Sequence, residues 1–532
     1  MACKMYLLSY DIGTTGMKTC LYSPDDNLRL ITSALAKYPL QLLEGGGVEQ
    51  DPQSWYQAML ETTKAVLSQS KVDPSDIKGI SFCSQMQGLV LVDRQGNALR
   101  NAFSYLDQRA TAELKQGLAT GLCIAGANIR KLLVSLAITK AAPTSVKDPV
   151  WKYQWVKHHE PEVHARIYKW LDVKEYLIAR LTGSFIMTED SAFATLLFNV
   201  KKRIWSPMMC RMLNVKQEHL PTIIRSTDAA GKLGSKAAFD LGLQEGTPVF
   251  GGGGDAAVIA LGAGSTEPGD SHIYIGTSGW LSTMVSHSMV DPATKTAAIV
   301  SAIPGRYTYF SELETAGKCL EWVKDHLALD EINVYLDKRL ATQSAESLAT
   351  DLYAYMASVI DSIKPGSNHV IFTPWLHGNR CPFEDCNARG MFFNLGLDTG
   401  KTEMIRAVTE GVCMHMRWFL EVQERRLKTS PTIRFVGGGA LSAVTCQILS
   451  DILGRPVQTI ENPQNVGALG AALVSAMGLG LFPSFEEARK AIPTGPIYHP
   501  RSEYKPVYDT NYAVYKQLYR SNKKHFALLN AR

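Results

Sequence analysis

Two aspartates on glycine-rich turns are the side chains in this sequence best placed to do chemistry. Asp255 closes a run of four glycines in "TPVFGGGGDAAVIALGAG", Thr247 to Gly264. The uncharged segment after it reads as a buried helix, with Asp255 as a favoured N-cap. A carboxylate at a helix N-terminus is favoured in its ionised form, which also suits a base. The glycines before it would leave room for ligands to approach. Asp11 opens "DIGTTGMKT". Backbone N–H groups at such a turn form an anion-binding concavity, and threonine hydroxyls add donors. Thr14 and Thr15 would hold phosphate oxygens, with Lys18 beyond them as a point charge. Lys18 could equally be a solvated strand residue. A second turn, in "YIGTSGWLST" from Tyr274 to Thr283, would cradle phosphate from the other side through Gly276 and Thr277. "FVGGGALS", Phe435 to Ser442, runs from a strand into a helix N-terminus. Its Gly438, Gly439 and Ser442 suit the flat face of an adenosine. Each turn alone could be only a turn, but the set is more specific. There is no G-x-x-x-x-G-K-[ST], which excludes a P-loop, and no G-x-G-x-x-G after the first strand, which disfavours a dinucleotide fold.

These turns need strands and helices to hold them. "KMYLLSYDIG", "MKTCLYSP" and "NLRLITSALAKYPL" read as three strands joined at Gly13–Gly16 and Pro24–Asn27. "DPQSWYQAMLETTKAVLSQS" reads as a helix capped by Asp51, with Pro52 at its first position. "IKGISFCS" and "GLVLVD" follow as strands. Residues 150–220 read as largely helical, with "YKWLDVKEYLIARLTG" stopping at Gly183. "TPVFGG", "HVIFTPWL" and "TIRFVGGGA" read as strands. "KTEMIRAVTEGVCMHMRWFLEVQERRL" and "SAVTCQILSDILG" read as helices. Strands alternating with helices indicate α/β layers. The Gly-Thr turns at Asp11 and Tyr274 are counterparts, 263 positions apart in 532 residues. That spacing implies two related α/β halves, 1–260 and 261–532, of which only the first keeps a carboxylate at the turn.

Composition narrows the class. A formal net charge of +5, from 55 basic and 50 acidic residues, does not argue for a nucleic-acid surface. The ten cysteines include no C-x-x-C, and Cys381 and Cys386 are the closest pair. Scattered thiols of this kind, Cys3 included, fit buried or incidental residues in a reducing compartment, hence a cytoplasmic protein. "MYLLSY" is too short for a signal-peptide core. "VGALGAALVSAMGLGLF", Val466 to Phe482, is uncharged but Gly- and Ala-rich, so it reads as a closely packed helix rather than a membrane span. In "KHHEPEVH", Lys157 to His164, Pro161 breaks the helical spacing a metal site would need, and the run reads as solvated surface. The tail after Pro483 has no functional reading.

The ordered motifs resemble the FGGY family of carbohydrate kinases, within the sugar kinase, Hsp70 and actin superfold, over roughly residues 5–480. The xylulokinase branch is the most similar. "DIGTTGMK" resembles the family's first phosphate loop and "GTSG" its second. "GGGGDAA" resembles the loop of the catalytic aspartate. "QMQGLVLVDRQGNALRNAFSYLDQRA" resembles its Gln-Met-His-Gly and Trp-x-Asp-x-Arg segment, and "WLHGNRCPFEDCNARGMFF" its Gly-Glu-Arg-x-Pro…Ala-Arg-Gly signature. "VGGGALS" and "VGALGAAL" resemble its adenosine and closing elements. The resemblance implies two ribonuclease-H-like domains with the active site in the cleft between them. It implies Asp255 as the base that accepts a sugar hydroxyl proton, with Mg-ATP as phosphoryl donor and Asp11 holding Mg²⁺ through water. Met86, Gln87, Asp107 and Arg109 would lie near the sugar. Asp107 and Arg109 could instead form a surface ion pair, and Gln87 could be a strand-end polar residue. The chain departs from the branch at Gln87 (usually His), Ala256 (usually Asn), Tyr105 (Trp), Asn379 (Glu) and Asn394 (Gly). Xylulose is the first expectation from the resemblance, and the departures at Gln87 and Ala256, positions that touch the sugar in the family, open it to others. Ribulose, a heptulose or a glycerol-like polyol is the alternative. An actin- or Hsp70-like ATPase and a silent sugar- or nucleotide-binding relative are the rivals of other classes. The expected partner is a small sugar or polyol, with no nucleic acid and no membrane, and a homodimer is left open.

Overall fold

A computed structural model describes residues 4–124, 127–327 and 345–531. Cys3 lies outside the described residues. Strand Tyr6–Ile12 folds back antiparallel on Gly16–Ser23, which pairs with Arg29–Lys37. On its other side Tyr6–Ile12 runs parallel to Ile77–Ser84, followed by Pro248–Phe250 and the edge strand Ala229–Lys232. The second sheet repeats the plan. Ser271–Ile275 turns back on Gly279–Val285, which pairs with Tyr307–Leu313. Its parallel neighbours are Ile433–Val436 and then Val457–Ile460, with Thr494–Tyr498 as the antiparallel edge. The repeated Gly-Thr turns thus occupy equivalent hairpins at the centres of two sheets of matching topology.

Local chemistry explains the helices that brace these sheets. Asp51 caps Pro52–Ser70 by accepting the Gln53 N–H at 2.9 Å. Helix Val173–Thr182 ends on Gly183, whose φ of 74° suits a residue without Cβ. The segment from 150 to 220 is less helical than its pattern suggests. Lys169–Leu171 is a strand paired with Val90–Val92, and Ile186–Thr188 pairs with Thr222–Ile224. These partners lie far away in sequence, so tertiary pairing overrides the local helical pattern.

Two helices lock the halves together. Asp255–Gly262 belongs to the first half and Val466–Gly478 to the second, and both are almost entirely buried. A Cβ on Gly262 would lie 2.2 Å from the Val466 carbonyl, and one on Gly470 would lie 2.1 Å from the Val258 carbonyl. The helices therefore touch backbone to backbone, which is why the 466–482 segment is rich in small residues. No helix among the described residues is long and apolar enough to cross a membrane. The tail completes the second half. Helix Lys505–Asn530 buries Tyr508, Tyr512 and Tyr515, and the Tyr515 hydroxyl meets His415 Nδ1 at 2.7 Å.

Candidate active site

Asp11 sits at the end of the central strand of the first sheet, where its carboxylate lies against Cys83 and the backbone of Gly467. A Cβ on Gly467 would be 2.7 Å from Asp11 Oδ2. Burial raises the Asp11 pKa, opposed by the Lys18 cation. Lys18 does not point at solvent. Its Nζ donates to the Gln464 carbonyl at 2.8 Å and so ties the first half to the turn before helix Val466–Gly478. The Gly13–Gly16 turn is held by the Gly13 N–H to the Gly16 carbonyl at 2.9 Å, and by the Tyr38 hydroxyl donating to the Gly13 carbonyl at 2.6 Å. Gln50 Nε2 donates to the Thr14 carbonyl at 2.8 Å. Thr15 is exposed. Thr14 Oγ1 donates to the Tyr105 hydroxyl at 3.4 Å.

Asp255 is the first residue of its helix rather than the cap, which is Gly254. Asp255 Oδ1 accepts the Ala256 N–H at 2.8 Å. Its pKa rises from 3.8 to about 7. Burial is the main cause, the Ala256 N–H opposes it, and the charges of Glu312, Asp11 and Asp190 add to it. Contrary to the expectation from sequence, the four preceding glycines do not open space for a ligand. Each admits a neighbouring part of the protein. A Cβ on Gly251 would lie 2.9 Å from the Arg225 carbonyl, and one on Gly252, at φ 64°, 2.3 Å from the Phe82 carbonyl. One on Gly253 would lie 2.7 Å from Val258 Cγ2, and one on Gly254 2.1 Å from Met86 Sδ. The glycines therefore let the Asp255 loop sink between Phe82, Asp190 and Met86.

That packing brings in Asp190, which the sequence reading missed. Asp190 is buried, and its Oδ2 accepts the Gly254 N–H at 2.6 Å, holding the residue before Asp255. Its Oδ1 is buried without a partner. Nothing glycine-rich marks "TEDSAFAT" as part of the site, so a turn-based reading passes over it. Glu312 and Arg380, paired at 2.9 Å, come from the second half and were also missed as a pair. Tyr274, the counterpart of Asp11, stacks on Trp280 at 4.0 Å. Burial, and then the charges of Asp11 and Asp255, push its phenol pKa up.

Among the residues expected near the sugar, Met86 reaches this loop. The Met86 side chain lies on Gly254. Gln87 holds φ 64°, pinned by its N–H and that of Gly88 donating to Asp172 at 2.9 Å each. Buried Lys152 also donates to the Gln87 carbonyl at 3.1 Å. The Gln87 side chain has no hydrogen bond among the described residues. Asp107 and Arg109 differ. Asp107 is fully buried and accepts the Val48 N–H at 2.7 Å and Arg109 Nε at 2.9 Å. Arg109 also binds Glu49 at 2.6 Å and lies over the Trp155 ring at 4.7 Å. The surface pair considered from the sequence is thus a buried network tied to Val48, Glu49 and the Trp155 ring.

In the second half, the Gly276 and Thr277 carbonyls accept from the Gly317 N–H at 2.9 Å and the Ala316 N–H at 3.1 Å, leaving Thr277 exposed at the turn. Gly438 is exposed with open space where a Cβ would stand. Gly439 packs on Ile275, and Ser442 Oγ caps helix Ala443–Leu453 through the Thr445 N–H at 3.2 Å. The histidines of "KHHEPEVH" meet protein partners. His158 faces Glu113 at 3.3 Å and His164 the Tyr153 hydroxyl at 3.1 Å.

Comparison with known proteins fits this geometry. The N-terminal domain model of the FGGY family of carbohydrate kinases matches residues 6–262, and the C-terminal domain model matches 272–479. A xylulose kinase of Bacillus subtilis (strain 168) is 29% identical over 520 residues, 97% of each chain. A gluconokinase of the same organism is 27% identical over 485 residues, 90% of this chain and 89% of its own. The crystal structure of a ligand-bound xylulose kinase from Lactobacillus acidophilus superposes with a TM-score of 0.83 at 25% identity, covering 99% of this chain and 100% of that one. A gluconate kinase from the same species gives 0.82 at 25% identity, covering 98% of each. With both domain models matched in order over the two sheets, the chain belongs to the FGGY family of carbohydrate kinases and is a sugar phosphotransferase of the actin- and Hsp70-like superfold.

Proposed function

We propose that the protein transfers the γ-phosphoryl group of ATP to a hydroxyl of a ketopentose such as xylulose, with Asp255 as general base. The observation that carries this reading is the Asp255 carboxyl, raised to about 7 at the start of a buried helix. A base is most effective when its pKa lies near the working pH. In this reading the first half, 1–260, supplies the sugar site and the base, and the second half, 261–532, supplies the second phosphate turn and the adenosine pocket. Met86 and Gln87 face the sugar. Asp107 and Arg109 act on it through the buried network they form. Thr14, Thr15, Gly276 and Thr277 receive the phosphates, with Lys18 on the strand that leaves the first turn. Gly438 and Gly439 line the adenosine, and Ser442 holds the helix beneath it.

Asp11 is the residue that would hold Mg²⁺. The fit rests on excess negative charge: Asp11 and Asp190 both raise the neighbouring Asp255 pKa, and Asp190 Oδ1 has no partner. No group of three or more metal-ligating side chains occurs among the described residues. Water and phosphate oxygens would therefore complete the shell around Asp11, as suits a cation that keeps its waters. A bound Mg²⁺ supplies neutralisation of phosphate charge. The residues supply alignment and, through Asp255, a place for the hydroxyl proton.

A second reading, a sugar acid such as gluconate, is favoured by the gluconokinase relatives and by Arg380, a cation paired to the Glu312 that influences Asp255. ADP release measured with xylulose, ribulose, a heptulose, glycerol and gluconate decides between them. Xylulose should give the highest kcat/KM. A gluconate optimum would replace the first reading with the second, and ADP release without acceptor would indicate an ATPase.

A further inference from the structure

A small polar cavity lies away from Asp255, under the segment that joins the two family domains. It measures about 80 Å³ and is walled by Ser265, Asp270, Thr432, Arg434, Gln458 and Arg489. Ser265 and Asp270 come from the joining segment, Arg434 and Gln458 from the second sheet, and Arg489 from helix Phe485–Lys490. Arg434 and Gln458 are register partners on adjacent parallel strands, so both side chains leave the sheet on one face.

The charges in this cavity do not balance. Asp270 is already committed: its Oδ2 accepts Arg489 Nη1 at 2.7 Å and the N–H groups of Thr266 at 3.1 Å and Glu267 at 2.9 Å. Arg434 makes no side-chain hydrogen bond or ion pair among the described residues, and its Nη1 is buried without a partner. Two guanidinium groups therefore share one carboxylate. Burial and the neighbouring Arg489 charge both disfavour the Arg434 cation. A guanidinium offers five N–H donors and cannot relieve the strain by losing its proton. Buried polar atoms left unpaired are rare, and an unseen ion or water is a common explanation. A volume of 80 Å³ holds about five water-sized volumes, which is also room for a tetrahedral oxyanion. Arg is the side chain best matched to such an anion, through paired N–H donors.

We propose that this cavity is a binding site for a small free oxyanion of phosphate type, held by Arg434 with Gln458 and Arg489 beside it. It is separate from the phosphate turns of the active site and does not depend on the sugar or on the role of Asp255.

The test is calorimetric titration of inorganic phosphate into the full chain at constant ionic strength. Saturating Mg-ADP is present to occupy the nucleotide site. The wild type should show one saturable site, weakened about tenfold or more in Arg434→Gln, the loss expected for a charge-assisted contact. Gln458→Leu, which leaves the charges in place, should weaken it less. In phosphate-free chloride buffer Arg434→Gln should melt at or above the wild type, because it removes a part-buried charge whose counter-ion Asp270 is already shared with Arg489. Equal phosphate binding in wild type and Arg434→Gln would overturn the proposal, as would no saturable binding in the wild type. A melting temperature several degrees lower for Arg434→Gln in chloride would also overturn it, by showing an arginine already satisfied by protein. If the Arg434-dependent binding is tighter for glycerol phosphate than for inorganic phosphate, the assignment to a free oxyanion is overturned.

Discussion

Replacing Asp255 with Asn should abolish activity and stabilise the fold, and both effects follow from one environment. Burial and the charges of Glu312, Asp11 and Asp190 raise the Asp255 pKa from 3.8 to about 7. A rise of that size corresponds to about 4 kcal/mol favouring the protonated form. The folded chain therefore holds this proton more tightly than the unfolded chain. The stability tied to Asp255 is fully present below the unfolded value of 3.8 and is lost as pH rises through about 7. The amide introduced by Asp255→Asn would keep the oxygen that accepts the Ala256 N–H but carry no charge. Because neighbouring carboxylates share the effect, Asp255→Asn should be more stable than wild type by about 2–4 kcal/mol at pH 8, and by little at pH 4. The same substitution removes the base, and kcat should fall by about 10²–10⁴-fold. The wild-type kcat/KM should rise with pH through a limb near 7, and the variant should lose that limb. Urea unfolding at pH 4 and pH 8 measures the stability change in both proteins, and a coupled ADP assay across pH measures the activity. A variant within tenfold of wild-type turnover refutes the base. A variant no more stable than wild type at pH 8 refutes the electrostatic reasoning.

Three further substitutions test how the site is held. Gly254→Ala places a Cβ 2.1 Å from Met86 Sδ, so it should shift Met86 and lower kcat/KM for the sugar by about 10²-fold, with a smaller change in the KM for ATP. Lys18→Met removes the Nζ contact to the Gln464 carbonyl across the halves. It should lower kcat/KM for ATP by about 10²-fold, the cost of a misplaced phosphate turn, and steady-state kinetics with varied ATP would show it. Gly470→Ala drives a Cβ to 2.1 Å from the Val258 carbonyl, where backbone cannot yield. Thermal unfolding should report a loss of about 1–3 kcal/mol, and an unchanged melting temperature would show that the helices separate without cost.

The turns and caps were legible because they are local. Asp51 with Pro52, Gly183 at φ 74° and Gly454 at φ 66° each announce a helix end by what their own backbone requires. The paired Gly-Thr turns were legible for the same reason, and their spacing exposed the repeat. Asp190 was not legible, because its role depends on the Gly254 N–H, 64 residues away in sequence. Nor were the short strands at Lys169–Leu171 and Ile186–Thr188, which exist only through distant partners.

The amino-acid order alone was enough to place Asp11 and two Gly-Thr turns on matching strand ends and Asp255 at a helix start, since backbone conformation at glycine and threonine is a short-range matter. The fold settled what surrounds them. It sank four glycines against Phe82, Asp190 and Met86 instead of opening them to ligand, and it turned Asp107 and Arg109 inward onto Glu49. It also buried the Asp255 carboxyl, with Glu312, Asp11 and Asp190 adding their charge, and so moved it to about 7. Burial and the sum of distant charges control these outcomes, and both come into being only when remote segments pack together.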